Sequence, residues 1–224
     1  GMVLLPTSLV ALALMAQSRR GIRLAELQAR VRRFDAYLRA EGAQPAHSMA
    51  HGGWVVEQAL RRFKAEKLVA RLDDEVDDIL QVVEDRRMML EYYKNGLLHF
   101  MAPMSLMAAA VRACAPTATE ALDLDELHQL FRTQVFVLRY EFTLDPEVSL
   151  EELEAGAVAH LLEYGALKRD DEGTLRVGEK RFIGELAELT RNFIESYDLV
   201  LRGAHAMRSR DLKLKELPTR IQER

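Results

Sequence analysis

From Arg23 onward the apolar residues Leu24, Leu27, Val31, Phe34 and Leu38 recur at steps of three and four. Glu26, Gln28, Arg30, Arg32, Arg33 and Arg39 fill the gaps. That period predicts an amphipathic helix, which Gly42 ends. The preceding stretch is apolar on all sides from Thr7 or Ser8, either of which could cap it, to about Gln17, and predicts a helix inside the core that stops at Gly21. A third helix is predicted from Trp54 to about Glu66, with Val55, Ala59, Leu60 and Phe63 on one side. Residues 68–72 and 79–83 then read as short strands around the acidic turn at residues 73–78. A central helix is expected from about Glu84, and Pro103 is placed to open a new one from about Met104 to Cys114. Leu124, Leu127, Leu130, Phe131, Val135 and Leu138 mark the next amphipathic helix, with Asp123 as its cap.

The plan then recurs. Ser149 and Glu152 form a capping-box pattern ahead of a helix that reaches Tyr164-Gly165. A second charged hairpin is expected over residues 166–177, and a long helix from about Glu179 to Met207. The expected fold is mainly α, a helical body with two winged-helix-like units, each with a short β-hairpin. Its divisions are a first unit over residues 3–83, central helices over 84–145, a second unit over 146–207 and a charged tail over 208–224.

Composition narrows the function classes. The 224 residues can bury a full core, and a net charge of −4 argues against binding nucleic acid through overall field. The single cysteine, Cys114, excludes an internal disulfide and suits the reducing cytoplasm. Residues 3–16 imitate the apolar part of a signal peptide, but the arginines follow rather than precede them, and the run is too short to span a bilayer. Gly1 before Met2 reads as a tag remnant.

The densest group of polar tips in an apolar setting is Leu90-Glu91-Tyr92-Tyr93-Lys94-Asn95-Gly96-Leu97-Leu98-His99-Phe100, where Tyr92, Asn95 and His99 fall near one helical face. With Ser105-Leu106-Met107-Ala108 it resembles the segment that follows the catalytic domain in bacterial glycerol-3-phosphate acyltransferases. Three further stretches resemble the same family in order and spacing. They are Pro6-Thr7-Ser8-Leu9-Val10-Ala11-Leu12-Ala13-Leu14 with Arg20-Gly21-Ile22, then Arg139-Tyr140-Glu141-Phe142, and then Phe193-Ile194-Glu195-Ser196-Tyr197 with Val200 and Arg202. The resemblance implies an accessory C-terminal domain whose parent acylates the first hydroxyl of glycerol 3-phosphate. It also implies a catalytic acyltransferase domain as partner, on the same or a separate chain, and a place in the cytoplasm at the inner face of the membrane. Tyr92, Tyr93, Asn95, His99, Glu141, Phe142 and Tyr197 become the family-motif residues, forming either a junction between units or part of the core.

The chemistry of that family is missing from this sequence. Its acyl transfer uses a histidine and an aspartate separated by four residues, one as general base and one to orient it. Five positions after His47, His51, His99, His128, His160 and His205 stand Gly52, Val56, Met104, Thr133, Gly165 and Arg210. The chain alone is therefore expected to be inactive, with no catalytic residue, metal or cofactor of its own. His47 and His51 have the spacing of helical metal ligands but lie in a Gly/Pro loop with no third ligand, and the acidic turn lacks the glycine and closing glutamate of a calcium loop. Two other classes stay open: a winged-helix nucleic-acid-binding regulator reading with Arg61, Arg62 and Lys64, and an interaction module unrelated to lipid. The apolar run at residues 97–111 holds one ionisable group, His99, and must be buried in the fold, against a partner or at a membrane surface. Lys213, Lys215 and Arg220 could add attraction to anionic lipid, largely cancelled by Asp211, Glu216 and Glu223.

Overall fold

The structure, a computed structural model, describes residues 3–17, 19, 21–49, 54–73, 78–115 and 121–206. In chain order the elements are β1 (Val3–Leu4), α1 (Pro6–Met15), β2 (Gly21–Arg23), α2 (Leu24–Ala40), β3 (Gln44–Pro45), α3 (Val55–Ala65), β4 (Val69–Asp73) and β5 (Asp78–Val82). There follow α4 (Arg87–Cys114), α5 (Leu124–Leu138), α6 (Leu150–Glu163), β6 (Leu167–Arg169), β7 (Leu175–Val177) and α7 (Lys180–Ala206). The fold is mainly α, with short strands.

Helix α1 is buried from end to end, as an all-round apolar helix must be. Neither Thr7 nor Ser8 caps it. Leu5 holds the cap position in extended conformation and Pro6 opens the helix, lacking the N–H that a cap would satisfy. Helix α4 packs along it and α7 packs along α4, forming the centre of the molecule. Arg30 fastens α2 to this centre. Its buried guanidinium donates to the Ala13 carbonyl at 2.8 Å and to Glu185 Oε1 at 2.7 Å, so one side chain satisfies the end of α1 and a carboxylate of α7. Arg33 adds a two-pronged contact to Glu179 at 3.1 and 3.2 Å.

Three sequence expectations change here. Strand β2, not foreseen, joins the first hairpin to make a three-stranded sheet in the order β2-β5-β4, with Gly21 opposite Gln81. The pair β1–β3 is parallel and also had no sequence signal, because two-residue strands carry no period. Pro103 lies inside one continuous helix, α4, and does not start a second. A proline there removes one backbone donor and loosens the turn before it. Tyr37 supplies a hydroxyl to the Phe100 carbonyl in that turn, at 3.2 Å.

The two halves correspond at matched positions around their hairpins. In the first, α3 ends in the left-handed Lys67 (φ 57°), Ala70 pairs with Gln81, and the Val83 N–H donates to the Leu68 carbonyl. In the second, α6 ends in the left-handed Gly165 (φ 72°), Lys168 pairs with Arg176, and the Gly178 N–H donates to the Ala166 carbonyl. Ala121 bridges to Arg176 just as Gly21 pairs with Gln81. The expected capping box on α6 is present in both directions, and Asp123 caps α5.

Candidate functional site

On α4, Leu90, Lys94, Leu97, Leu98 and Met101 point inward, which turns position 92 and its helical neighbours outward. Met88, Tyr92 and Asn95 are exposed, Tyr92 by 73%, and His99 is half-buried. Tyr93 points elsewhere. Its ring meets Phe63 at 5.6 Å and its hydroxyl donates to Glu66 at 3.3 Å, tying α4 to α3. His99 lies against the Phe100 ring at 4.5 Å, and burial lowers its pKa. Core filling thus describes Phe142, which is buried, but not the exposed Tyr92 ring.

The residue that sequence reasoning passed over is Lys94, 1% exposed. Its ammonium lies 2.5 Å from Glu91 Oε2, donates to the Leu189 carbonyl at 2.9 Å and reaches Asn192 Oδ1 at 3.5 Å. Burial lowers its pKa, and the neighbouring Glu91 carboxylate opposes that shift. The signal was readable, since Lys94 sits on the period set by Leu90, Leu97, Leu98 and Met101.

Three of the motif stretches converge on α7. The Lys94 ammonium is 5.8 Å from the Phe193 ring centroid, and Phe142 meets the same ring at 5.2 Å, edge to face. One turn further on, Tyr197 donates to Glu141 at 2.5 Å. Residues from α4, from the segment after α5 and from α7 therefore share one neighbourhood, while Tyr93 and His99 face α3 and the middle of α4.

The remaining polar groups bind the fold together. His128 Nδ1 lies 2.8 Å from Glu154 Oε1, joining α5 to α6, and His160 Nε2 lies 3.2 Å from Glu41 Oε1, joining α6 to the end of α2. Burial and the nearby Glu126 and Asp123 carboxylates push the Cys114 thiol up to about 11, leaving it protonated. Among the described residues no group of three or more His, Cys, Asp or Glu side chains is placed to hold a metal. His51, the tip of the acidic turn, and Lys213, Lys215 and Arg220 of the charged tail lie outside the described residues.

Two of the three cations of the nucleic-acid reading are engaged in ion pairs. Arg61 pairs with Glu57 at 3.3 Å, Arg62 pairs with Glu66 at 2.8 Å, and Arg71 pairs with Asp78 on the hairpin. A groove of about 480 Å³ between α2, α3 and this hairpin is floored by Leu24, Val56, Leu60 and Leu80. The segment Glu84–Cys114 is long and apolar enough to cross a membrane, yet residues 97–111 are buried or half-buried throughout, so this helix serves as core.

A family model described as the glycerol-3-phosphate acyltransferase C-terminal region matches residues 1–224. The chain is similar to a glycerol-3-phosphate acyltransferase of Aeromonas hydrophila, 27% identical over 200 residues that cover 87% of this chain and 23% of that protein. It is similar to the proteins of the same description from Pseudomonas paraeruginosa and Pseudomonas aeruginosa, each 27% identical over 177 residues covering 76% of this chain and 20% of theirs. The chain thus spans less than a quarter of the length of these relatives.

Proposed function

Because this chain belongs to the family of glycerol-3-phosphate acyltransferase C-terminal regions, we propose that it is the accessory, non-catalytic C-terminal domain of a glycerol-3-phosphate 1-O-acyltransferase. The parent would open phospholipid synthesis with an acyl-CoA or acyl-carrier-protein donor. One observation carries the reading: the family match covers the whole chain, while the relatives are several times longer. The lack of any histidine with an aspartate five positions on supports the reading that acyl-transfer chemistry belongs to another part of such a protein. The partner is the catalytic acyltransferase domain, on the same polypeptide or separately encoded, in the cytoplasm at the inner face of the membrane. Membrane contact on this reading belongs to the rest of the parent, since residues 97–111 are consumed by the core.

The order helix, strand, helix, helix, strand, strand and the sheet order β2-β5-β4 support a winged-helix unit over residues 3–83. The second unit, over 146–207, draws support from α6 and its hairpin, and the Ala121–Arg176 bridge supports extending it back through α5. The helices at 84–145 join the two. Tyr92, Tyr93, Asn95 and His99 belong to that junction, with Glu141, Phe142 and Tyr197 bracing its far end.

The test is direct. Purified residues 1–224 should transfer no more radiolabelled acyl group to glycerol 3-phosphate than a heat-killed control. The parent polypeptide should lose activity when this region is deleted. Transfer by the isolated chain, or a parent indifferent to the deletion, would refute the assignment.

A further inference from the structure

The end of α7 is exposed on every side. All five residues from 198 to 202 are exposed, and Leu199, Val200 and Leu201 are large and apolar, 51%, 47% and 56% accessible. Beside them lies the last turn of α5, held there by the Tyr197–Glu141 hydrogen bond and the Phe142–Phe193 ring contact. Phe136 in that turn is 66% exposed, and Tyr140, two residues past the helix end, is 82% exposed. The Arg139 guanidinium lies over both rings, 4.1 and 4.5 Å from their centroids, and donates to the Phe136 carbonyl at 2.6 Å. Arg139 has no carboxylate partner among the described residues. Two aromatic rings, an arginine without a counter-ion and three successive aliphatic side chains thus share one end of the molecule. Single exposed apolar residues are ordinary, whereas a cluster marks a contact surface.

We propose that this end of the molecule, where Phe136, Arg139 and Tyr140 lie beside a helix end that carries Leu199, Val200 and Leu201 around its sides, docks the domain onto the acyltransferase domain of its parent, an inference that rests on the parent reading above. A protein surface fits better than lipid. Arg191 pairs with Glu188 and Glu195, and Arg202 pairs with Asp198, so these cations of the described part of α7 are already neutralised and offer an anionic membrane little attraction. The residue types are those that dominate protein contacts, tyrosine, phenylalanine and arginine above all. The length outside this region points to the occupant, since more than three quarters of each matched relative lies beyond the segment similar to this chain. On α7, Val200 and Ala204, both exposed, stand four residues apart on one side, the spacing of a helix laid into a groove. The partner is therefore expected to present an apolar groove for α7 and a carboxylate opposite Arg139.

Photo-crosslinking in the intact parent polypeptide tests this. Benzoylphenylalanine replaces Phe136, Tyr140 or Val200, with Trp54 and Val148, exposed apolar residues elsewhere, as controls. The expected result is crosslinked peptides from the acyltransferase domain, identified by its histidine–aspartate motif, at the three test positions. The same crosslinks should be lost at the controls and in the Arg139→Glu background. Crosslinks to lipid, to a second copy or to residues 207–224, or none above the controls, overturn the docking surface while the parent reading stands. If no acyltransferase domain lies on the polypeptide or co-purifies with it, both readings fall.

Discussion

Lys94 is where a single side chain decides most. Its ammonium has been withdrawn from water into the space between α4 and α7, and three oxygens there replace the solvent. Removing one partner of such a pair leaves the other charge stranded, so Lys94→Ala should cost about 3–5 kcal/mol in urea unfolding. The double change Lys94→Met with Glu91→Leu should cost much less, because no buried charge remains. Equal losses for the two variants would mean that the side chain contributes packing alone. His99 makes a subtler claim. Burial holds its folded pKa below the ordinary 6.5, so as pH falls through that value the unfolded chain takes up a proton that the native imidazole resists. Stability should therefore decline on acidification below about pH 6.5, and His99→Gln should flatten that slope relative to wild type in urea midpoints taken across the window. An unchanged slope would count against it. At this scale the sequence was half legible. Lys94 could be placed by its period, but the hydroxyl of Tyr37 on the Phe100 carbonyl joins positions far apart in the chain and leaves no local trace.

Helices with long apolar periods were foreseen within a few residues, as were both hairpins, because their signals are repeated along the element. The elements that escaped are short. A three-residue strand such as β2 is defined by what it pairs with, and Gly21 read equally well as a helix stop. The matched turns after α3 and α6 show what local chemistry costs. Lys67 holds a left-handed conformation that its counterpart, Gly165, adopts without a side chain to clash. Lys67→Gly should therefore stabilise the protein by about 1 kcal/mol in thermal or urea unfolding. Its opposite is Gly178→Ala, where an added Cβ would stand 2.4 Å from the Gly165 carbonyl oxygen. Backbone must move to admit it, a loss of about 2 kcal/mol or more. A neutral result at Gly178 would show that the crossing of the second hairpin over the end of α6 is looser than this geometry.

At the scale of the molecule, the two halves repeat one plan around a shared centre of α1, α4 and α7. The family-motif residues lie on α4, on α7 and in the segment after α5, where Glu141 and Phe142 meet Tyr197 and Phe193 while Tyr92 and Asn95 stay exposed on α4. Asn95 and Tyr92 are exposed on α4, so changing both to alanine should leave the melting temperature of the domain nearly unchanged. If the junction matters to the parent enzyme, the same pair should lower its acyl-transfer rate with the fold intact. A destabilised protein with normal specific activity would return these residues to a purely architectural role. The motif stretches were visible in the sequence, but their neighbourhood was not, since Phe193 gathers Lys94 and Phe142 only once the chain is folded.

Helix α4 begins where the first hairpin ends and runs on, without a break at Pro103, to pack against α5 and α6. A hinge between the halves would have to bend this rod through its buried middle, where Met101, Ala102, Met104 and Ser105 are all enclosed. The two halves have accordingly surrendered their independence. Calorimetry should register one cooperative melt, with equal van't Hoff and calorimetric enthalpies, in place of two staggered ones. Motion transmitted from a partner at one end would arrive at the other as displacement of a rigid body.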